Sequence, residues 1–178
     1  GDCAGIADCL ASFAEYLPDD LVMLGVKNAG KGLMVDPAQF SDQLVVVDRL
    51  LAQDFKGQSS TPFGSAREDA LKKNPVNTLG NIKGRRAFYG TGGNDHLGLL
   101  ERVAREFPEM CVVGTFKSID GDCWIDGKPA QMLGFHSAVR DCSRAIYNIA
   151  TSAVAHGQIT VVEIFGRHCG KLAFESAR

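Results

Sequence analysis

Two short segments hold the residue types that a reaction would need. Gly92-Gly93-Asn94-Asp95 follows the apolar run Ala87-Phe88-Tyr89, and Lys117-Ser118-Ile119-Asp120-Gly121-Asp122 follows the apolar run Cys111-Val112-Val113. Glycines at 90, 92 and 93 let a backbone come close to an anion, because a Cβ would keep it away from the amide groups. A helix starting near Asp95 adds free N–H groups and the positive end of its dipole, so a phosphate suits the first segment. The plainer alternative there is an ordinary strand-to-helix turn with Asn94 or Asp95 as N-cap. In the second segment Asp120 and Asp122 flank Gly121, so one carboxylate can take a proton from a substrate hydroxyl while the other holds magnesium. Lys117 can neutralise charge on a transferring group. An acidic, solvated turn is the plainer alternative for this segment.

The surrounding pattern must position both segments at strand ends. Apolar spacing predicts helices over 6–16, 40–52 (behind Ser41 or Asp36 as cap), 74–81, 95–107 and 135–155. A buried strand is predicted over 21–26, and further strands over 86–89, 110–113 and the β-branched run 159–165. Loops are expected at 28–32 and 57–66, with Arg67 facing solvent or a ligand, and an irregular stretch or short hairpin at 124–132. Strands alternating with helices predict an α/β fold with a parallel sheet covered on both faces, a three-layer, Rossmann-like arrangement in a single domain over 1–178. Ligands of such sheets lie beyond the carboxyl ends of the strands, so the two segments are expected to converge on one site. Phe165-Gly166-Arg167, after the strand expected at 159–165, would join that edge, where a guanidinium suits a sugar phosphate. Pairing with Glu163 or a helix cap is the plainer role for Arg167.

Composition narrows the classes of partner. With 178 residues, 45% hydrophobic and 22% charged, the chain can bury a core, and its net charge of −2 gives no basic face for nucleic acid or an anionic membrane. No apolar run approaches a membrane span and no signal peptide is recognisable, so a cytoplasmic protein acting on a small molecule is expected. The six cysteines form no CxxC pair and read as reduced core thiols; His136, His156 and His168 show no metal-ligand spacing. The chain opens on Gly1 within what reads as a loop and stops soon after a predicted strand, so a longer protein, extended at both ends, is expected.

The motifs in this order resemble the phosphofructokinase family, and most of all its pyrophosphate-dependent members. Gly1-Asp2-Cys3-Ala4-Gly5 is similar to the end of the family's first glycine-rich loop, and Gly64-Ser65-Ala66-Arg67 to its arginine-bearing loop. The two segments at 92–95 and 117–122, together with Gly134-Phe135-His136-Ser137-Ala138 and Glu163-Ile164-Phe165-Gly166-Arg167-His168-Cys169-Gly170, extend the match over nearly the whole chain.

The resemblance implies phosphoryl transfer to the 1-hydroxyl of fructose 6-phosphate, in a homo-oligomer that carries Mg2+ as cofactor. It puts the phosphoryl donor against Gly1, Arg67, Gly92, Gly93, Asn94 and Asp95, and the sugar phosphate against Ser118, Ile119, Asp120, Phe165, Gly166 and Arg167. Asp120 would be the base, with Lys117 and Asp122 beside it and the metal between Asn94 and Asp122. Asp95 fills the space that a nucleotide would need, and Lys117 stands where nucleotide users tend to have glycine, so the implied donor is pyrophosphate. ATP is the alternative donor, and a regulatory paralogue that binds sugar phosphate without turnover is the alternative class. Ala4 and Ala7 in place of proline and asparagine, Asn94 in place of aspartate, His96 in place of serine, Gly121 in place of asparagine and Gln158 in place of arginine are the departures from the family pattern. The family's second substrate-binding half is expected to be missing from this chain.

Overall fold

The computed structural model describes residues 3–178, so Gly1, assigned above to the phosphoryl donor, lies outside the described residues. The chain forms two compact units, Gly1–Thr115 and Phe116–Arg178.

The first unit contains α1 (Ile6–Glu15), β1 (Met23–Val26), the single turn α2 (Gly30–Leu33), a 3-10 segment (Pro37–Gln43), β2 (Leu44–Val47) and α3 (Arg49–Phe55). The turn α4 (Ala70–Lys73), α5 (Pro75–Ile82), β3 (Ala87–Gly92), α6 (Asn94–Glu106) and most of β4 (Cys111–Ser118) complete it, with β3 beside β4. The helix expected over 40–52 is not formed. Pro37–Gln43 turns the chain back, with Asp36 accepting the Ala38 amide, and Leu44–Val47 pairs antiparallel with β1 from Met23↔Val47 to Val26↔Leu44. A run of four apolar residues satisfies helical and extended spacing alike, and the β1 backbone settled the choice. The helix resumes at Arg49, where the Asp48 carboxylate accepts the Leu51 amide. The loop expected at 28–32 likewise contains α2.

Predicted and observed helices agree closely where the apolar stripe is long. α6 turns Leu99, Leu100 and Val103 inward, and these pack with Leu33, Phe40, Leu71, Ile82, Phe107 and Met110 into the core of the first unit. α5 begins behind Asn74, whose side chain accepts the Asn77 amide while its own amide nitrogen donates to the Met34 carbonyl.

In the second unit, the end of β4 pairs parallel with β7 (Leu133–Gly134), through Lys117↔Leu133 and Ser118↔Gly134. Between them, β5 (Trp124–Ile125) and β6 (Lys128–Pro129) form the expected hairpin, turned at Asp126 and Gly127. α7 (Phe135–Ala155) has the predicted bounds, and α8 (Lys171–Ser176) packs along it, tied by the Ser143 hydroxyl to the Ser176 carbonyl at 2.9 Å. The small core is Cys123, Met132, Phe135 and Leu172, with Ile164 and Phe116 against it. Cys123 and Cys3 are buried as expected of core thiols, whereas Cys111 is exposed.

The strand expected over 159–165 is not formed. This run is rich in β-branched residues, but it pairs with no strand among the described residues, and Ile159 and Val161 are 99% and 93% exposed. Backbone propensity extends a chain; only inter-strand hydrogen bonds make it a strand. The fold is nonetheless α/β, with parallel pairing where β4 meets β7.

Ile82 and Ile159 separate burial from composition. Ile82→Ala removes a fully buried side chain and is expected to cost about 2–5 kcal/mol, whereas Ile159→Ala should stay within roughly 0.5 kcal/mol of wild type. Urea unfolding midpoints measure both, and equal losses would show that Ile159 is covered.

Candidate active site

Ser118 organises the acidic segment. It is buried at the last position of β4, and its hydroxyl donates to Asp122 Oδ1 at 2.5 Å while accepting the Asp120 amide at 3.1 Å. Asp122 is thereby turned back toward the strand end. Among the described residues the Asp120 carboxylate has no hydrogen bond or ion pair, so it is available as a proton acceptor. Cys123, the next residue, anchors the segment in the core of the second unit. Burial pushes the Cys123 thiol above its ordinary range; the negative charges of Asp122 and Asp120 push it the same way and Lys117 opposes them, so all three charges act on one sulfur. The structure therefore brings Lys117, Ser118, Asp120 and Asp122 together, with Ile119 half-buried between them.

Phe165, Gly166 and Arg167 hang from the same core through Ile164. Phe165 is 84% exposed, and Arg167 is exposed with φ of +48° in a tight turn closed by the Cys169 amide on the Gly166 carbonyl at 2.6 Å. The premise that a strand at 159–165 delivers Arg167 to a sheet edge does not hold; packing of Ile164 anchors this segment instead.

In the first unit, Gly92 ends β3, Gly93 is the N-cap of α6, and Asn94 and Asp95 are the exposed first residues of the helix. Neither acts as the cap that the plainer reading assigned to them. Among the described residues no side chain caps this helix, so the first amides, at Asn94 and Asp95, have no side-chain acceptor there. Arg67 is exposed beside Glu68, which pairs with Lys31 and Lys73.

The glycines at 90 and 92 answer to a residue that spacing arguments passed over. A Cβ at either position would collide with the His96 side chain, which lies against β3. The imidazole is mostly buried, its Nε2 has no partner among the described residues, and burial holds it below its ordinary value of 6.5, so it is neutral. Alternate glycines on one strand, followed four residues later by a bulky side chain on the next helical turn, were the available signal.

Tyr89 also went unmarked. Its hydroxyl accepts from Thr91 at 2.6 Å, donates to Thr115 at 2.9 Å and lies 3.1 Å from the Cys9 sulfur, while Phe13 stacks on its ring at 4.2 Å. Burial, with the Cys9 contact, pushes its phenol up to about 12, so it stays protonated. It ties α1 to β3 and β4 just before the glycine pair.

Among the described residues no three acidic, histidine or cysteine side chains cluster as a metal cage. Taken one by one, the Asp122 carboxylate, with Oδ1 held by Ser118, and the exposed Asn94 side chain are oxygen donors of the kind Mg2+ accepts alongside water and phosphate oxygens. Among the described residues no helix is long and apolar enough to cross a membrane.

A family model described as Phosphofructokinase matches residues 1–177. The chain belongs to the phosphofructokinase family. Relatives within this family of phosphotransferases include a pyrophosphate–fructose 6-phosphate 1-phosphotransferase of Streptomyces coelicolor, 34% identical over 125 residues, covering 67% of this chain and 35% of that protein. An ATP-dependent 6-phosphofructokinase 1 of Synechocystis is 27% identical over 97% of this chain and 50% of its own length. The chain thus spans half or less of the length of these relatives. In fold it is similar to the phosphofructokinases of Saccharomyces cerevisiae (TM-score 0.76, 24% identity, 97% of this chain and 26% of that one) and Pichia pastoris (TM-score 0.73, 19% identity, 97% and 20%). Phosphofructokinases using either donor are thus among the similar proteins.

His96 gives this phosphofructokinase chain an acid sensitivity. Because its folded value is depressed, the unfolded chain binds the proton first; stability is full above about 6.5, falls as pH drops through that value, and levels off below the depressed folded value. Urea midpoints between pH 7.5 and 5.5 should fall less in His96→Gln than in wild type, and parallel slopes would assign the loss to other groups.

Proposed function

We propose that the protein to which this chain belongs transfers a phosphoryl group from pyrophosphate to the 1-hydroxyl of fructose 6-phosphate, giving fructose 1,6-bisphosphate and phosphate. The observation that carries the reading is the Ser118 arrangement, which holds Asp122 and the Asp120 amide and leaves the Asp120 carboxylate without a partner among the described residues, in a chain of the phosphofructokinase family.

Asp120 takes the proton of the attacking hydroxyl, and Lys117 offsets negative charge on the group in transfer. Ser118, Ile119, Phe165, Gly166 and Arg167 receive the sugar phosphate, with the Arg167 guanidinium as its cation. The donor phosphates are received by Gly1, Arg67 and the amides at Gly92, Gly93, Asn94 and Asp95. Asn94 and Asp122 would hold Mg2+, which would supply charge neutralisation at phosphate oxygens. The protein works as a homo-oligomer in the cytoplasm, with neither nucleic acid nor membrane as partner.

Asp95 and Lys117 favour pyrophosphate: a carboxylate at residue 95 takes up room that a nucleotide would need, and a lysine at residue 117 suits a compact, highly charged donor. The similarity to the Streptomyces phosphotransferase adds to that reading. ATP is the second reading, supported by the Synechocystis relative, which aligns with nearly the whole chain.

Full-length protein supplied with magnesium, fructose 6-phosphate and either donor is expected to form fructose 1,6-bisphosphate with pyrophosphate. Product with ATP alone would reverse the donor assignment, and sugar binding without turnover on either donor would identify a regulatory paralogue. Asp120→Asn should lower kcat by roughly 10²–10⁴-fold with little change in sugar-phosphate binding. Undiminished kcat would remove Asp120 as the base.

A further inference from the structure

Gly121 is the weak point of the acidic segment. It sits between Asp120 and Asp122 with φ of +74°, and glycine has the widest backbone freedom of any residue. The Ser118 hydroxyl restrains the Asp120 amide and the Asp122 carboxylate, but nothing in that pair of bonds restrains residue 121 itself. Left to those bonds, the two carboxylates could change their mutual spacing by rotation about the glycine.

The space beside Gly121 is occupied from two helices. A Cβ built there would lie 2.6 Å from Phe135 Cε2 and 3.0 Å from Lys171 Cδ, so the ring and the lysine stem fill the space that a side chain at 121 would take. Phe135 is the first residue of α7 and belongs to the buried core, while Lys171 is the first residue of α8. The Lys171 ammonium stands 5.1 Å from the centre of the Phe135 ring, a cation–π contact that fixes the stem against it. A cleft of about 290 Å³, bordered by Gln131, Met132 and His136, opens beside these two residues.

We infer that Phe135 and Lys171 are positioning residues that clamp Gly121 and so set the spacing of Asp120 and Asp122. The inference rests on Asp120 and Asp122 being the reacting carboxylates proposed above. Releasing the clamp lowers the fraction of time in which both are in place, which lowers kcat while leaving the sugar phosphate's own contacts intact.

The test uses the full-length protein and has two arms. In the kinetic arm, Phe135→Leu and Lys171→Ala are each expected to lower kcat about tenfold or more with KM for fructose 6-phosphate within about twofold, whereas Phe135→Tyr, which keeps the ring, retains wild-type kcat. In the second arm, amide hydrogen exchange at residues 120–122 accelerates in Phe135→Leu and Lys171→Ala without a matching rise in the core amides of α7. If Phe135→Leu does not fold, Lys171→Ala carries both readouts, because only its stem is packed. Unchanged exchange at 120–122 overturns the clamp whatever the kinetics show. Faster exchange with unaltered kcat also overturns its role in turnover. A wild-type protein without turnover would sink the reaction proposed above, and the exchange arm would still decide whether the clamp exists.

Discussion

A buried hydroxyl at the end of one strand governs the geometry of the acidic segment. Ser118 is placed by parallel pairing with Gly134, and at that position it is buried. A hydroxyl there destabilises the fold unless its bonding capacity is used. Bending the following residues back, so that Asp122 accepts from it and the Asp120 amide donates to it, satisfies that requirement. The shape of the segment is therefore a consequence of where β4 ends, and Cys123 in the core holds the far side of the bend.

Glycine has a common meaning in both chemically equipped segments. Next to the phosphate-suited turn, the missing side chains at 90 and 92 make room for His96, and between the two carboxylates the missing side chain at 121 makes room for Phe135 and Lys171. In each case a bulky residue from a helical first turn lies against the glycine. Glycines near a ligand site are commonly read as room for the ligand; here a side chain is what fills the space. Such packing turns the most permissive backbone positions of the chain into restrained ones, as a site that must hold charges at set separations requires.

Family membership and donor choice draw on different amounts of the chain. The family follows from motifs and a fold spread across 177 residues, whereas the proposal of pyrophosphate over ATP rests on the side chains at positions 95 and 117 alone. Relatives named for either donor match at modest identity, as expected when a shared scaffold carries two donors that differ in bulk.

Long amphipathic stripes were legible without coordinates: α6 and α7 start and stop within a residue of the expected bounds, because more than three turns of periodic apolar residues leave no competing pattern. The order of motifs was legible too, and with it the residue types able to accept a proton, bind an anion or hold a metal. Short apolar runs were not. Leu44–Val47 became a strand because β1 offered it hydrogen bonds, and 159–165, with better strand composition, is not one because it pairs with no strand among the described residues. Tertiary structure alone decided that Ser118 joins the two aspartates, that His96 occupies the glycine face of β3, and that Phe135 meets Lys171 over Gly121. Periodicity is a property of one segment and survives in the sequence, whereas a hydrogen bond or a filled vacancy needs a second segment, whose arrival no local pattern encodes.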